Sequence, residues 1–166
     1  MQNDYDIVLV RVDDRLIHGQ ILEAWLPFLK ASCIIVADDG VATDFFRETV
    51  MRMAVPNETE VLFRSIDALS GNYPCKPESG KRTLVLFSCI SDAVRAYESG
   101  FRFSKLNIGN VYNENGERIC SPSVLLGSQD MDFLKDLVRD NVTIQLQRVP
   151  RERSFDFKNF ITAQRP

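Results

Sequence analysis

The stretch that decides the fold is Ile7-Val-Leu-Val-Arg-Val-Asp-Asp-Arg-Leu-Ile-His-Gly-Gln20. It begins with a run rich in β-branched residues, which predicts a strand at 7–12, and apolar residues at helical spacing then predict a helix at 20–29. A strand that passes through a short polar loop into a helix is the unit from which parallel α/β sheets are built. The loop contains His18, the only histidine of the chain.

The rest of the chain repeats this alternation of strand-like and helix-like runs. Further strands are predicted at 32–37, 60–64, 83–87, 105–108 and 142–149, and further helices at 44–53, 65–69, 92–99 and from Ser128. An irregular crossover is predicted at 70–82. A hairpin or a long surface loop is predicted at 109–122, which contains the turn signal Asn-Glu-Asn-Gly116. We expect a mostly parallel, twisted α/β sheet with helices on both faces and one antiparallel edge strand or hairpin.

Two helical runs carry large apolar side chains for which the spacing predicts a direction. In the run at 44–53, Phe45, Phe46, Val50 and Met53 fall at helical spacing and are expected to face the core. In the run at 20–29, core positions are expected for the aromatic side chains, and Pro27 is expected to kink or end the regular helix. The aromatic residues there are Trp25 and Phe28.

Length and composition restrict the class of protein. A chain of 166 residues with 45% hydrophobic and 26% charged residues is expected to form one globular domain over 1–166. The formal net charge of −3 argues against nonspecific binding to nucleic acid. No apolar run approaches the roughly 20 residues that span a bilayer, and residues 1–6 are polar and acidic, unlike a signal peptide. A cytoplasmic location is the expectation.

The cysteines and the single histidine do not form a metal-binding pattern. The four cysteines are scattered without a C-x-x-C pair, at positions 33, 75, 89 and 120. Cys33 and Cys89 follow apolar, strand-like sequence and are expected to be reduced core residues. We expect neither a metal nor another cofactor.

The loop around His18 combines groups that suit the transfer of an anionic group. Ligands of parallel α/β sheets bind beyond the carboxyl ends of the strands, where His18 follows the first strand and Ser88 the fourth. The N–H groups of Gly19 and Gln20 open the following helix and can face an anion. Arg15 can reach the same anion. These groups fit phosphoryl transfer to and from histidine.

An acidic side chain is expected to orient the imidazole ring. A carboxylate bonded to one ring nitrogen fixes the tautomer and makes the other nitrogen more nucleophilic. Asp13 and Asp14 are both close enough in sequence for this role, and the sequence does not decide which nitrogen attacks.

The sequence alone also allows other interpretations of the same residues. His18 can be a solvated loop residue, and Arg15 with its acidic neighbours can form only a local ion pair. Asp38-Asp39 can be turn carboxylates. A receiver-like domain phosphorylated on aspartate is a second hypothesis, weakened because the third strand ends in Phe63-Arg64-Ser65 without an aspartate. A third is a module that binds an anion at the helix N-terminus without chemistry.

The run Arg11-Val-Asp-Asp-Arg-Leu-Ile-His-Gly-Gln20 resembles the phosphorylation-site loop of the enzyme IIB components of the mannose, fructose and sorbose family of the bacterial phosphotransferase system (PTS). Three further segments appear in the order and at the spacing typical of that family. They are Ile34-Ile-Val-Ala-Asp-Asp39, Leu86-Phe-Ser88 with Asp92, and Leu106-Asn-Ile-Gly109. The similarity therefore covers most of the chain.

This resemblance implies a role for each residue of the loop. His18 would carry the phosphoryl group, Arg15 would bind it, and Ser88 would supply a hydroxyl group near it. Arg11, Asp13 and Asp14 would shape the loop.

The resemblance also implies a set of partners. A IIA protein or domain would donate the phosphoryl group, and a sugar held by the membrane components IIC and IID would accept it. A regulatory phosphohistidine protein without transport is the alternative within this interpretation. Electrostatics suggests that contacts with IIA use arginines beside the loop, such as Arg11 and Arg15. Whether the chain forms a homo-oligomer is left open.

Overall fold

A computed structural model describes residues 6–70 and 80–163 of the chain. Its strands are β1 (Asp6–Asp13), β2 (Cys33–Ala37), β3 (Glu60–Arg64), β4 (Arg82–Phe87), β5 (Lys105–Tyr112), β6 (Arg118–Ser121), β7 (Val124–Leu126), β8 (Thr143–Leu146) and β9 (Phe155–Asp156). Its helices are a π-helical segment (Ile21–Trp25), α1 (Leu26–Leu29), α2 (Phe45–Ala54), α3 (Ile66–Ser70), α4 (Ile90–Glu98), α5 (Ser128–Arg139) and α6 (Phe157–Ala163).

The strands form one mixed sheet in the order β3-β2-β4-β1-β5-β7-β6, and β8 also pairs with β5 and with β9. Pairing is parallel throughout the centre and antiparallel only for β6–β7 and β8–β9 among the described strands. The predicted α/β class and the antiparallel hairpin are confirmed. The fifth strand runs four residues further than predicted, because its end pairs with β7. Most of the predicted crossover, 71–79, lies outside the described residues.

Two apolar clusters cover the two faces of the sheet, as the alternation of side chains along a strand requires. On one face, Val10 and Val12 of β1 pack with α3, α4, α5 and α6. On the other face, the π-helical segment and α1 pack over Ile34, Val36 and Leu84. The intervening positions of β1, Arg11 and Asp13, therefore point toward the π-helical segment.

Pro27 does not end the first helix. The helix instead begins with a π-helical turn and continues as α1 through Pro27. Since proline lacks an N–H and crowds the carbonyl four residues earlier, a wider turn before it accommodates the ring. Lys30 then ends the helix in the left-handed conformation, at φ 50°.

The direction predicted for helix α2 is wrong. Phe45, Phe46, Val50 and Met53 are exposed, and α2 contributes no buried side chain to either cluster. Partly buried Met51 packs against the sheet cluster, and the Arg52 guanidinium lies over the Phe63 ring of β3 and donates to the Val61 carbonyl oxygen. Hydrophobic spacing defines an apolar stripe on a helix. It does not decide whether that stripe faces the protein or the solvent.

Of the burial predictions for single aromatic and cysteine residues, some are confirmed and some are wrong. Trp25 is buried as expected, whereas Phe28 is exposed. Cys33 is a free, buried thiol as expected, and burial raises its pKa to about 11. Cys89 is only half-buried, because it occupies the N-cap of α4 rather than a strand. Within 6–70 and 80–163, none of the helices is long and apolar enough to cross a membrane.

Candidate active site

The candidate site lies where β1 ends and the chain turns into the π-helical segment. Leu16, in the middle of the turn, is almost fully buried and has φ 55°, a conformation that costs a bulky residue of order 1–3 kcal/mol. Burial of its side chain and the hydrogen bond from Leu16 N to the Asp13 carbonyl oxygen hold this turn. The strained turn folds the chain back, so that His18 lies beside Asp13.

The imidazole of His18 is held by one carboxylate. Its Nε2 lies 3.0 Å from Oδ2 of Asp13, and 15% of the side chain is accessible to solvent. No hydrogen bond to Nδ1 of His18 is present within the described part of the chain. Of the two acidic residues that the sequence offered for this role, Asp13 is therefore the one in contact.

Asp14 contacts the neighbouring strand β5 and not the imidazole. Its carboxylate accepts hydrogen bonds from the Asn110 side chain and from Tyr112 N. These bonds fasten the turn after β1 to the end of β5, the neighbouring strand. Asp14 thus ties the turn to β5 without touching the imidazole.

The helical turn begins directly after the histidine. The carbonyl oxygen of His18 accepts hydrogen bonds from Ile21 N and Leu22 N, at 3.0 and 3.1 Å. Gly19 and Gln20 occupy the first turn, where N–H groups have no acceptor within the helix. Their amides are thus placed next to His18, in the position where an anion is bound at a helix start.

Arg15 lies across the opening of this turn. Its side chain is 43% exposed, its Nε is 3.5 Å from Oδ1 of Asp13, and its Nη2 donates to Oε1 of Gln20 at 3.0 Å. The bond to Gln20 is exposed and exchanges readily with water, whereas the Asp13 side chain is buried. Because the contact with Asp13 is long, at 3.5 Å, the exposed guanidinium is free to turn toward an anion bound at His18.

Arg11 occupies the opposite, interior side of Asp13. Its guanidinium is fully buried, and its Nη2 donates to Oδ2 of Asp13 at 3.0 Å. It also donates to the carbonyl oxygens of Gln147 and Arg148, at 2.8 and 2.9 Å, and to the Asn107 side chain. Arg11 is thus a fixed support for Asp13. The expectation that Arg11 contacts a partner protein is wrong, since no part of it reaches the surface.

Two neighbours make room for the buried guanidinium. A Cβ added at Gly109 would lie 1.6 Å from Nη2 of Arg11, so only glycine fits at this position of β5. On the other side, the Trp25 ring faces the guanidinium at 4.9 Å and donates its indole N–H to the Arg148 carbonyl oxygen. The support of Asp13 therefore joins β1, β5, the first helix and the segment after β8.

The charges of Asp13 and Arg11 stabilise each other. Burial alone raises the pKa of Asp13, but the hydrogen bond from His18 and the positive charge of Arg11 outweigh it, and the pKa of Asp13 lies below its ordinary value. Burial lowers the pKa of Arg11, which the attraction of Asp13 opposes. An arginine stays protonated even so. Asp13 is consequently an ionised carboxylate that can only accept hydrogen bonds.

Ser88 lies at the same edge of the sheet but does not join the site directly. Phe87 pairs with Val12, so Ser88 follows at the level of Asp13 on the adjacent strand. No hydrogen bond or ion pair links it to the His18 loop within 6–70 and 80–163. A half-buried hydroxyl group is therefore near the site and unconnected to it.

Asp38 and Asp39 are structural. Asp38 accepts a hydrogen bond from Val41 N, and Asp39 accepts one from Ile66 N and pairs with Arg95. These contacts fasten the loops after β2, β3 and β4 to one another. Within the described ranges, no cluster of three or more His, Cys, Asp or Glu side chains is arranged to hold a metal ion.

Comparison with known proteins identifies the family. Residues 7–166 match the family profile described as "PTS system sorbose subfamily IIB component". The chain belongs to this family. Relatives in it are named as EIIB components of sugar-specific PTS systems, and this IIB chain is a phosphocarrier in sugar phosphotransfer.

Relatives and solved structures agree with the assignment. The IIB chain is 32% identical over 152 residues to the fructose-specific EIIB component of Bacillus subtilis, covering 92% of this chain and 93% of the relative. It is 27% identical to the mannose-specific EIIAB component of Escherichia coli, covering 96% of this chain and 50% of that protein. The crystal structure of the IIBSor domain of the sorbose permease from Klebsiella pneumoniae superposes with a TM-score of 0.85, at 28% identity, covering 96% of this chain and 98% of that one.

Sequence reasoning missed three groups that complete the site. Asn107 carried a signal, since it is a polar residue inside an apolar strand, and it is buried against Arg11. Trp25 was expected in the core but not as a neighbour of Arg11. The acceptors at Gln147 and Arg148 are backbone carbonyls, which side-chain patterns cannot reveal.

Proposed function

We propose that His18 of this IIB chain accepts a phosphoryl group on Nδ1 from a phosphorylated IIA protein or domain. The same group then passes to a sugar bound by the membrane components IIC and IID, and the chain acts in the cytoplasm. The observation that carries the proposal is the 3.0 Å contact between Nε2 of His18 and Oδ2 of Asp13. An ionised carboxylate accepts and does not donate, so Nε2 must carry the hydrogen. The lone pair of the neutral ring is then on Nδ1.

The transfer follows from this tautomer. The Nδ1 lone pair attacks phosphorus, a new N–P bond forms, and the bond to the nitrogen of the donor histidine breaks. The His18 ring, with a hydrogen on Nε2 and the phosphoryl group on Nδ1, now carries a positive charge. Asp13 stabilises that charge, because the carboxylate is already in contact with Nε2–H.

The phosphoryl oxygens need hydrogen-bond donors of their own. The first-turn amides of Gly19 and Gln20 and the guanidinium of Arg15 supply them, and the exposed bond from Arg15 to Gln20 is exchanged for the phosphoryl group. Ser88, one strand away, is proposed as a further donor to that group. Arg11 and Asp14 act through position alone.

The second transfer reverses the first at a different acceptor. A sugar hydroxyl oxygen attacks phosphorus, the bond from Nδ1 to phosphorus breaks, and the hydroxyl proton is released. The His18 ring returns to its neutral form, with Nε2–H still donating to the ionised Asp13 carboxylate. Nothing in this sequence of steps requires His18 to move away from Asp13.

The decisive experiment is phosphoryl transfer from phosphorylated IIA to the purified chain and to its His18→Ala variant. Because the chain has a single histidine, a label that is labile to acid and stable to base is expected on the wild type and absent from the variant. Label retained by the variant would contradict the proposal. Transfer onward to sugar in vesicles that contain IIC and IID then separates transport from regulation.

A further inference from the structure

Helix α2 carries an apolar face that no described residue covers. Phe45, Phe46, Val50 and Met53 expose between 51% and 84% of their surface. At 100° per residue these four side chains lie within an arc of about 140° and form one continuous face, here called the α2 face. Large exposed apolar patches on soluble proteins mark interaction sites.

The α2 face is held in a fixed direction. Asp44 caps the helix by accepting a hydrogen bond from Arg47 N, and the preceding loop is fastened by Asp39 to Ile66 N and to Arg95. Beyond the helix, Val55 is buried in the sheet cluster. Both ends of α2 are therefore anchored, although its outer face is bare.

Helix α2 begins at the edge of the sheet that carries His18. Helix α2 follows β2, and the ends of β2 and β1 both pair with Phe87 of β4. Two strand spacings separate β1 from β2, a distance of about 10 Å. A protein that buries about 800 Å² around His18 has a footprint of about 16 Å radius. Such a footprint reaches the beginning of α2.

Two other occupants fit less well. Helices that bind lipid surfaces are rich in lysine and arginine. Helix α2 with its N-cap carries two basic residues, Arg47 and Arg52, and two acidic residues, Asp44 and Glu48, in a chain of net charge −3. A second copy of the chain would need about 800 Å² from each partner for a stable dimer. The α2 face, about 15 Å long and about 10 Å wide, is only a fraction of that area. Its size suits a part of a transient contact.

We propose that the α2 face docks the protein that delivers the phosphoryl group, a partner whose phosphohistidine is surrounded by an apolar surface. This inference rests on the proposed function. Imidazole side chains are short, so a phosphohistidine on one folded protein reaches His18 only when the two surfaces meet face to face.

The test compares two triple variants of the full chain. Phe45→Gln, Phe46→Gln and Met53→Gln together remove the apolar face, and the same three positions changed to Leu retain it. Initial rates of transfer are measured against the concentration of phosphorylated IIA. We expect the Gln variant to raise KM about tenfold with an unchanged maximal rate, and the Leu variant to stay within about twofold of wild type. Thermal unfolding of all three proteins should agree, since α2 buries no side chain.

Each other outcome overturns the inference. Equal KM values for the Gln and wild-type chains exclude docking of the donor at α2. A wild-type dimer that the Gln variant dissociates, seen by sedimentation, assigns the face to a second copy. A defect confined to transfer into sugar assigns it to the membrane components. In all three cases phosphorylated His18 leaves the proposed function intact, whereas a wild type that accepts no phosphoryl group contradicts that function itself.

Discussion

Oδ2 of Asp13 lies 3.0 Å from Nε2 of His18 and 3.0 Å from Nη2 of Arg11. One carboxylate oxygen therefore joins the partly exposed imidazole to a fully buried arginine. The arginine is fixed by backbone carbonyls from the far end of the chain, so the position of His18 depends on the tertiary structure as a whole.

The first prediction concerns which nitrogen is phosphorylated. Because Asp13 holds Nε2, the phosphoryl group is expected on Nδ1. In ¹⁵N-labelled phosphorylated protein, Nδ1 should show a one-bond coupling to ³¹P, and Nε2 should keep its hydrogen. A ³¹P coupling at Nε2 would show that the contact with Asp13 is broken during transfer.

Replacing Asp13 with Asn should affect both transfer and stability. The neutral amide stabilises the cationic phosphohistidine poorly, so the transfer rate should fall about 10- to 100-fold. Arg11 loses the carboxylate that it contacts, and the free energy of unfolding should fall by about 3 kcal/mol. Urea unfolding measures this loss. Asp14→Asn is the matched control, because Asp14 is exposed and touches neither His18 nor Arg11; a loss within about 1 kcal/mol is expected.

Acid unfolding should report the same carboxylate. The pKa of Asp13 is lowered in the folded state, so its contribution is complete above the ordinary pKa near 3.8 and is lost as pH falls through the lower, folded value. In that window the unfolded chain binds more protons, and stability rises with pH. Asp13→Asn should flatten this part of the stability curve. Asp39→Asn should flatten it less, since Asp39 is exposed although a hydrogen bond from Ile66 N and then its pair with Arg95 lower its pKa. Equal slopes for wild type and Asp13→Asn would contradict the assignment.

Gly109→Ala should displace the buried guanidinium. The new methyl group would overlap Nη2 of Arg11, which is packed on every side and cannot withdraw. A loss of about 2–3 kcal/mol in the free energy of unfolding is expected, together with slower transfer to His18. Gly19→Ala provides the control, because nothing lies within 4 Å of a Cβ at that position. That variant should be at least as stable as wild type, since alanine favours the helical turn.

Arg15→Gln should separate binding of the phosphoryl group from folding. Loss of a charge-assisted hydrogen bond worth about 1.5–3 kcal/mol in the transition state lowers the transfer rate about 10- to 100-fold. Stability should change by less than about 0.5 kcal/mol, because the side chain lies at the surface. Arg139→Gln, the same change of charge on exposed α5, should leave both quantities unaltered. A similar fall in rate for both variants would point to net charge instead.

Much of the fold was predictable because its signals are local. The apolar runs of β2, β3 and β4 coincide with their strands to within one residue. Alternation along β1 already places Arg11 and Asp13 on one face of the sheet, and the single histidine follows at the start of a helix. The family motif adds the expected role of each residue. These inferences need only neighbours in the sequence.

The outward direction of α2 was not predictable from its pattern. Its spacing of apolar residues is that of a core-facing helix, and only the neighbouring elements decide whether the stripe is covered. The π-helical segment and α1 already occupy much of that side of the sheet, so α2 meets it only at its inner edge, through Met51, Val55 and the Arg52 guanidinium over Phe63. The large side chains are left outside.

By itself, the sequence determined the sheet, the loop and the chemical identity of the residue that we propose carries the phosphoryl group, because strand alternation, helix spacing and a lone imidazole are properties of adjacent residues. Only the tertiary structure decided that Asp13 rather than Asp14 holds the ring, and that Arg11 is a buried support instead of a contact for a partner. The physical reason is distance along the chain. The Nη1 and Nη2 groups of Arg11 donate to residues 96 to 137 positions away, and a buried charge is stable only where the fold brings such acceptors to it.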